Sequence, residues 1–326
     1  MNGDRDQSPD DGNYNHTHRA LLQAFLSQPV MTFDEMKPVI AAILTAHEPD
    51  RARLVNDITS QIVTSMVQTV NSKIGALDYE IRSSLNQHDR TLTYALVNTT
   101  SDALTQIATS FTPDEIAYIK RLLDQMFETN NTRTREIMAV KSTEASHLAK
   151  VSRNRQSRAA TEAEGEDESM QAEATAKTIP MSEAEKVLQQ LLTQGFFQKS
   201  KANYYSLAPR ALMELRTYLK ETYNDPPGDE DDDVEPTIKI RDCEGCREIV
   251  TVGLRCDNKD CGVRWHDRCA TQYFRRQQGN ARKCPKCKTD WEGETYVGER
   301  ADQVGGRRKT TTGRGRNSMM DEDDEG

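Results

Sequence analysis

The chain contains 326 residues, with a formal net charge of −9, 29% charged residues and 35% hydrophobic residues. This polar balance predicts two or three folded domains that alternate with disordered segments. The longest apolar run, from Pro38 to Ala46, is too short to cross a bilayer, and no charged-then-apolar leader opens the chain, so we expect a soluble protein with no membrane partner.

The first part of the chain has the pattern of three helices followed by a β-hairpin. Residues 1–16 are rich in Asp, Asn and Gly, and we predict a disordered tail there. Apolar side chains at helical spacing, and then at alternate positions, predict the elements that follow. In chain order they are a helix that stops near Pro29, a helix that opens at Thr32, a helix over residues 51–72 that ends near Gly75, and strands over residues 77–85 and 91–98. This order is typical of a winged-helix domain, which we assign to residues 17–110.

The same order of elements recurs in residues 111–224 and predicts a second winged helix. In chain order the elements are a helix that opens at Thr112, a weakly amphipathic helix over residues 134–150, a helix from Ser182 to Gly195, a hairpin of residues 196–199 and 204–207, and a helix from Pro209 to about Tyr223. Glu115 and Glu185 each lie three residues after a Thr or Ser and predict capping boxes. Residues 151–178 have no periodicity and are predicted to be a disordered insertion. The two stretches do not align residue by residue, so the repeat is one of architecture.

Charge changes strongly along the C-terminal third of the chain. Residues 225–238 are acidic and contain Pro-Pro-Gly, which predicts a linker before a cysteine-rich domain at residues 239–292. Residues 293–326 are predicted to be a disordered tail, basic over residues 305–316 and acidic over residues 321–325. Such tails are usually only solvated; a contact of the basic part with nucleic acid or the nuclear-import machinery is the alternative.

All seven cysteines lie in the cysteine-rich domain, together with one of the six histidines. The eight side chains are Cys243, Cys246, Cys256, Cys261, His266, Cys269, Cys284 and Cys287. They form four pairs, which is what two tetrahedral zinc ions need, because each structural Zn²⁺ takes four Cys or His ligands. The odd number of cysteines argues against a disulfide framework, and the polar, turn-like sequence around the first pair argues against a redox Cys-x-x-Cys. We therefore predict two structural Zn²⁺ and a reducing compartment, the cytosol or the nucleus.

The order of four Cys, one His and three Cys resembles the RING and PHD families, in which pairs one and three hold one zinc and pairs two and four hold the other. On that cross-brace scheme one ion is bound by Cys243, Cys246, His266 and Cys269, and the other by Cys256, Cys261, Cys284 and Cys287. Segments threaded between two such sites have little apolar core. Metal binding then supplies their folding free energy, on the order of 10 kcal/mol per zinc.

Residues between the ligands favour a RING over a PHD module. Arg282 stands where PHD modules that bind histone tails commonly place Trp. The rings of Trp265, Tyr273 and Phe274 are expected to pack around the metal sites rather than to form a methyl-lysine cage. By resemblance, Pro285 lies in the loop that RING ligases offer to a ubiquitin-conjugating enzyme, and Lys288 stands where those ligases use a basic residue to touch ubiquitin.

The first loop of the module, Glu244-Gly245, differs from the RING pattern. Active RINGs typically carry an apolar residue such as Ile there, so we expect weak affinity for the conjugating enzyme and a need for a partner. If all seven thiols are zinc ligands, none accepts ubiquitin as a thioester, so we predict no catalytic residue and a non-covalent mechanism. Closed four-ligand sites also leave no metal-bound water for hydrolysis.

The whole pattern predicts a mainly α chain with small β elements: tandem winged-helix domains followed by a two-zinc, cross-brace, RING-like domain. This arrangement resembles the non-structural maintenance of chromosomes element one family, the RING-bearing subunit of the SMC five–six complex. The resemblance covers about residues 18–290. It rests on the zinc ligands, Trp265-His266, Tyr273-Phe274, Cys284-Pro285-x-Cys287 and the block from Phe196 to Leu215.

Membership of that family implies a nuclear protein that pairs with a MAGE-like subunit alongside a kleisin subunit and that reaches DNA through the complex. It also implies RING-type E3 ubiquitin transferase activity, stimulated by the MAGE-like partner, in DNA repair and recombination. Two alternatives stay open. In the first alternative to a ligase, the chain is a structural zinc and winged-helix scaffold without ligase activity. In the second, it is a PHD-like chromatin reader or a direct DNA binder. The few basic residues in the predicted helix 51–72 disfavour direct DNA binding.

Overall fold

The structure of the chain is a computed structural model that describes residues 14–99, 110–150, 177–226, 237–275 and 282–307. Most of each segment predicted to be disordered lies outside the described residues. The parts that lie outside are residues 1–13, 151–176, 227–236 and 308–326.

The first unit is a winged helix. Its elements are α1 (His16–Ser27), β1 (Val30–Thr32), α2 (Phe33–His47), α3 (Ser60–Ile74), β2 (Tyr79–Leu85) and β3 (Leu92–Asn98). The strands pair antiparallel in the order β1-β3-β2, so the β2–β3 hairpin forms the wing and β1 adds a third strand. Side chains from all three helices, such as Leu21, Met36 and Val63, are fully buried in its core.

Two features of this unit differ from the prediction. Helix α3 begins at Ser60 and not near residue 51, because the hydroxyl of Thr59 accepts the backbone N–H of Ile62 and caps the helix there. Residues Val55–Asp57 form a separate 3₁₀ turn. Leu54 is 69% exposed, so its four-residue spacing from Ile58 does not mark a helical face. Strand β1 was not predicted, because three residues are too few to reveal an alternating pattern.

The second unit repeats this architecture. Its elements are α4 (Pro113–Asp124), β4 (Val140–Lys141), α5 (Ser142–Leu148), α6 (Met181–Thr193), β5 (Phe197–Lys199), β6 (Tyr204–Leu207), α7 (Pro209–Glu214) and α8 (Arg216–Tyr223). The sheet order β4-β6-β5 corresponds to β1-β3-β2 of the first unit. The predicted fold class of tandem winged helices is therefore confirmed.

Three element boundaries in the second unit correct the prediction. The helix predicted over residues 134–150 is wrong in its first half, where Asn131 forms a bridge with Glu136 and β4 precedes α5. The predicted last helix is two helices that meet at Leu215. Helix α6 follows Pro180 without a side-chain cap, so the predicted capping box at Ser182 is absent, whereas the box at Thr112 is present.

The third unit contains the cysteines and a small sheet. Its elements are β7 (Gly253–Arg255), β8 (Arg264–Trp265), α9 (Asp267–Arg275), β9 (Tyr296–Val297) and α10 (Arg300–Arg307), with sheet order β8-β7-β9. Strand β9 and helix α10 fall within residues 293–326, where the composition predicts only a tail. Tertiary contacts create this order, since β9 pairs with β7 and Asp302 of α10 accepts a hydrogen bond from the Tyr204 hydroxyl.

The three units pack against one another unequally. Apolar side chains of the second winged helix and of the cysteine-rich unit form one continuous core, whereas the first winged helix has a core of its own. The wing of the first unit lies against α7, and at its tip Gln87 reaches the cysteine-rich unit. None of the helices within the described ranges has the length and apolarity needed to cross a membrane.

Candidate metal centre

Two clusters of four potential ligands lie in the cysteine-rich unit. The first consists of Cys243, Cys246, His266 and Cys269, and the second of Cys256, Cys261, Cys284 and Cys287. Within each cluster the candidate ligand atoms all lie within 4.8 Å of one another. This is the cross-brace grouping that the sequence predicts, with pairs one and three together and pairs two and four together. All eight predicted site residues are brought together by the fold.

The two Cys-x2-Cys pairs occupy tight turns of the same backbone shape. Arg247 and Lys288, each just after the second cysteine of its pair, have left-handed φ angles of 63° and 62°. The N–H of Arg247 donates to the carbonyl of Cys243 at 2.9 Å, and the N–H of Lys288 donates to that of Cys284 at 3.1 Å. Each turn directs two sulfurs to the same side, which supplies one edge of a tetrahedral site.

The remaining ligands come from the sheet and from helix α9. Cys256 follows β7, His266 follows β8, and Cys269 lies in the first turn of α9. The Nδ1 atom of His266 lies 3.2 Å from the sulfur of Cys246. In the second cluster the sulfurs of Cys256 and Cys287 are 3.4 Å apart. All seven cysteines are free thiols, and the set of sulfurs with one imidazole nitrogen suits a thiophilic, tetrahedral ion.

Burial and hydrogen bonds give the thiols different pKa values before a metal binds. Burial raises the pKa of Cys269 to about 12 and raises the pKa of Cys256 as well. A hydrogen bond with the Thr289 hydroxyl lowers the pKa of Cys287 to about 6. Burial opposes ionisation of Cys243, but hydrogen bonds that include those from the backbone N–H groups of Gly245 and His266 lower its pKa to about 6. Metals bind the deprotonated thiolate, so binding of a metal displaces protons from the thiols whose pKa is raised.

Aromatic rings surround the clusters, as the sequence predicts. Trp265 stacks on Tyr273 with ring centroids 4.7 Å apart, and Phe274 stacks on Trp291 at 4.9 Å. Trp265 and Phe274 are buried, so these rings do not form an open cage for methyl-lysine. Among the described residues of this unit, the rings of Trp265, Tyr273 and Phe274 therefore do not support the chromatin-reader alternative.

The loops that a RING would offer to a conjugating enzyme are at the surface. Pro285 is half-buried and Lys288 is exposed, and the Lys288 ammonium donates to the Pro285 carbonyl at 2.8 Å. In the first loop, a Cβ added at Gly245 would lie 3.1 Å from both Cys269 Cβ and the Trp265 ring. Glycine therefore lets this turn pack on Trp265, and the loop presents no apolar side chain. Arg282 is exposed.

Two residues that contact this unit were missed by the sequence analysis. Gln87 of the first winged helix and Glu136 of the second form hydrogen bonds with residues beside the clusters. Neither residue belongs to a recognisable motif. Glu136 is buried although it is a charged residue type, and this burial is visible only in the folded chain.

The sequence matches known protein families along most of its length. The family described as "Nse1 non-SMC component of SMC5-6 complex" matches residues 18–215, and the family described as "RING-like domain" matches residues 243–287. The non-structural maintenance of chromosomes element 1 homolog of Homo sapiens is 24% identical over 278 residues, which are 85% of this chain and 84% of that protein. The Xenopus laevis homolog is 23% identical over 305 residues, 93% of each chain. The Schizosaccharomyces pombe protein is 21% identical over 236 residues, 72% of this chain and 80% of that protein.

The fold is also similar to that of a chain in a solved structure of an Nse1-Nse3-Nse4 complex. The TM-score is 0.61 at 20% sequence identity, over 86% of this chain and 97% of that chain. The first family match covers more than half of the 326 residues, and the RING-like match covers both metal-binding clusters. The chain therefore belongs to the family of Nse1 non-SMC components of the SMC5-6 complex.

Proposed function

We propose that this chain is a RING-type E3 ubiquitin ligase subunit of an SMC5-6 complex. The observation that carries the proposal is the RING-like module itself, in which two four-ligand clusters support the loop of Pro285. The module would hold a conjugating enzyme so that its ubiquitin thioester is oriented for attack by a substrate lysine. All seven thiols lie in the clusters, so the mechanism needs no thioester on this chain.

The proposed cofactors are two structural Zn²⁺. One would be bound by Cys243, Cys246, His266 and Cys269, and the other by Cys256, Cys261, Cys284 and Cys287. Zinc is the metal that suits four-donor sites built from thiolates and imidazole, and closed sites of this kind hold a fold together without activating water. Metal analysis of the purified chain should give two zinc ions per polypeptide.

The proposed partners are a MAGE-like subunit and a kleisin subunit, in the nucleus, with a role in DNA repair and recombination. The solved complex that contains the similar chain is a complex of Nse1, Nse3 and Nse4, which supports this assignment. DNA would be reached through the complex, since the only basic residue in α3, the third helix of the first winged helix, is Lys73.

A structural scaffold without ligase activity is the second candidate. Two observations favour it. Gly245 leaves the first loop without an apolar anchor for a conjugating enzyme. The ammonium of Lys288 is bonded to its own loop and would have to leave the Pro285 carbonyl to contact ubiquitin.

Ubiquitin-chain formation by the assembled complex distinguishes the two candidates. The complex, with two zinc ions per chain, is assayed with a panel of conjugating enzymes, with and without the MAGE-like partner. We expect partner-stimulated chain formation that is lost in Pro285→Ala and reduced in Lys288→Ala at unchanged zinc content. Lys201→Ala, an exposed lysine in the β5–β6 turn, is the matched control and should have wild-type activity. No chain formation with any conjugating enzyme would support the scaffold.

A further inference from the structure

Gln87, at the tip of the wing of the first winged helix, forms a three-point contact with the backbone of the cysteine-rich unit. Its side-chain N–H donates to the carbonyl of Ile249 at 2.8 Å. Its side-chain oxygen accepts the backbone N–H groups of Thr251 at 3.0 Å and Val252 at 2.9 Å. One amide thus fixes the segment that follows the first Cys-x2-Cys turn, from 162 residues away in sequence.

The carbonyl that Gln87 holds is also the partner of the histidine in the first cluster. Nε2 of His266 lies 3.2 Å from the Ile249 oxygen, and Nδ1 lies 3.2 Å from the sulfur of Cys246. A carbonyl oxygen can only accept a hydrogen bond, so Nε2 carries the proton and Nδ1 presents its lone pair to the cluster. This is the tautomer that can bind a metal through Nδ1. Gln87 therefore acts on the ring orientation of His266 through the Ile249 carbonyl.

Glu136, in the second winged helix, has a corresponding contact with the second cluster. Its carboxylate accepts from Nε of Arg264 at 2.7 Å, from Nη2 of the same guanidinium, and from Nη1 of Arg255 at 2.9 Å, and all three side chains are buried. The remaining nitrogen of Arg264, Nη1, donates to the carbonyls of Cys261 and Val263, both at 2.8 Å. Glu136 thus orients the guanidinium that holds the backbone of Cys261, a member of the four-cysteine cluster.

We propose that Gln87 and Glu136 are positioning residues for the two metal sites, one from each winged helix. Gln87 acts on the cluster that contains His266, and Glu136 acts on the four-cysteine cluster. Metal retention by the RING-like module then depends on its docking against both winged helices. The proposal rests on the zinc ligand sets proposed above and adds to each a partner outside the module. Hydrogen-bond partners of metal ligands commonly change metal affinity about 10- to 100-fold when they are removed.

The first experiment measures zinc release from the purified full chain into excess chelator. Pulses of N-ethylmaleimide followed by mass spectrometry identify which cysteines become reactive first. Gln87→Glu is nearly isosteric and keeps the acceptor for Thr251 and Val252 but loses the donor to Ile249. We expect about tenfold faster release of one of the two ions, with early labelling of Cys246 and Cys269. Gln87→Ala should have the same site preference.

Gln198→Ala is the matched control for the wing. Gln198 of the second winged helix accepts a hydrogen bond from the side chain of Asn86 at 3.1 Å, so this variant removes a contact of the wing and leaves the loop around Gln87 unchanged in sequence. The side chain of Gln198 has no hydrogen bond to the cysteine-rich unit among the described residues. We expect the release rate of both ions to change less than about twofold in this variant. If Gln198→Ala accelerates release as much as Gln87→Glu, the effect comes from loosened packing of the wing, and the role of Gln87 is overturned.

The second experiment applies the same measurement to Glu136→Gln. We expect early labelling of the four-cysteine cluster, at Cys256 and Cys261, with the first cluster still protected. Glu214→Gln is the matched control, because the side chain of Glu214 is only 4% exposed and pairs with Arg210 within α7 at 3.1 Å. It should lower thermal stability without a preference for either cluster.

Two outcomes would overturn the inference while leaving the proposed function intact. One is unchanged release in the Gln87 and Glu136 variants; the other is equal acceleration at both clusters, which indicates general unfolding. A wild-type zinc content below two per chain would instead contradict the proposed ligand sets. The initial zinc content of every protein therefore separates failure of the positioning role from failure of the metal assignment.

Discussion

Gly253 marks the closest backbone approach in the small sheet of the RING-like module. It begins β7, where a Cβ would lie 2.1 Å from the carbonyl oxygen of Trp265. That contact is far shorter than two atoms can tolerate. The carbonyl oxygen of Trp265 cannot move aside, because it belongs to the backbone of β8, which is paired with β7. The ladder that places Cys256 and His266 therefore requires glycine at this position.

We expect Gly253→Ala to lower the free energy of unfolding by at least about 1–3 kcal/mol, the usual cost of overpacking. Thermal unfolding of the zinc-loaded chain measures the change. Gly75→Ala is the matched control: a Cβ there meets nothing within 4 Å, and its φ of −57° suits alanine. It should leave stability unchanged or raise it by about 0.4–1 kcal/mol. Equal stability of the two variants would contradict the contact at Trp265.

At the scale of residues, the sequence was sufficient to group the candidate metal ligands and insufficient to find their supports. The eight Cys and His side chains lie within one short window at spacings that only a few metal-binding folds use, so their grouping into two clusters could be predicted. Gln87 contacts Ile249 across 162 residues, and Glu136 contacts Arg264 across 128 residues. No local periodicity in the sequence marks such a long-range pair. The sequence also does not distinguish a buried Glu from a solvated one.

At the scale of elements, the helices that open at Thr32 and Thr112 begin where the sequence predicts, because their capping boxes form in the structure. Thr112 accepts the N–H of Glu115, and the Glu115 carboxylate accepts the N–H of Thr112 at 2.7 Å, so both orphan donors at the start of α4 are satisfied. The strands β1 and β4 were missed because strands of two or three residues have no measurable period. Tertiary pairing with β3 and β6 creates them.

We expect Thr112→Ala to cost about 1 kcal/mol of stability, because it removes the cap and leaves a backbone N–H of α4 without a partner. Chemical denaturation with urea measures this loss. Thr64→Ala, on the exposed face of α3, is the control and should be neutral or slightly stabilising because alanine has the higher helix propensity. A loss in Thr64→Ala as large as that in Thr112→Ala would argue against the cap as the cause.

At the scale of the whole molecule, the distribution of the two cores predicts how metal loss spreads. The cysteine-rich unit shares its core with the second winged helix, whereas the first winged helix is packed around separate side chains. Removal of the proposed zinc ions would withdraw on the order of 10 kcal/mol per ion from the cysteine-rich unit. The buried apolar side chains of this unit, such as Val263 and Trp291, belong to the shared core. The shared core then loses the apolar side chains that the cysteine-rich unit contributes to it.

We expect chelation to increase hydrogen exchange in residues 243–275 and 282–297 and at the second winged helix, while α1, α2 and α3 stay protected. Exchange measured by mass spectrometry on loaded, chelated and reloaded protein tests this order. Reloading with zinc should restore protection. Simultaneous loss of protection in α1 to α3 would contradict the separation of the two cores.

Helix α10 connects the RING-like module to the second winged helix through Asp302. Its carboxylate accepts the Tyr204 hydroxyl at 2.7 Å and pairs with Lys141 at 2.7 Å and with Arg135. Burial opposes its ionisation, but the hydrogen bonds from Lys141 and Tyr204 outweigh burial and hold the pKa of Asp302 below its ordinary value of 3.8. A carboxyl whose pKa is lower in the folded chain stabilises fully above its unfolded-state pKa, and this stability is lost as pH falls through the folded-state value.

Asp302→Asn should therefore lower the free energy of unfolding by about 1–2 kcal/mol, and the difference from wild type should be constant from about pH 6 to about pH 8. Denaturation of the zinc-loaded chain at several pH values measures it within the range where the metal is retained. Asp290→Asn is the control, because Asp290 is 80% exposed and its nearest lysine nitrogen, on Lys283, is 4.0 Å away. It should differ little from wild type. The prediction is contradicted if the difference in free energy of unfolding between wild type and Asp302→Asn shrinks between pH 8 and pH 6. The carboxyl would then take up its proton near neutrality, and its bonds to the three donors could not be what anchors α10.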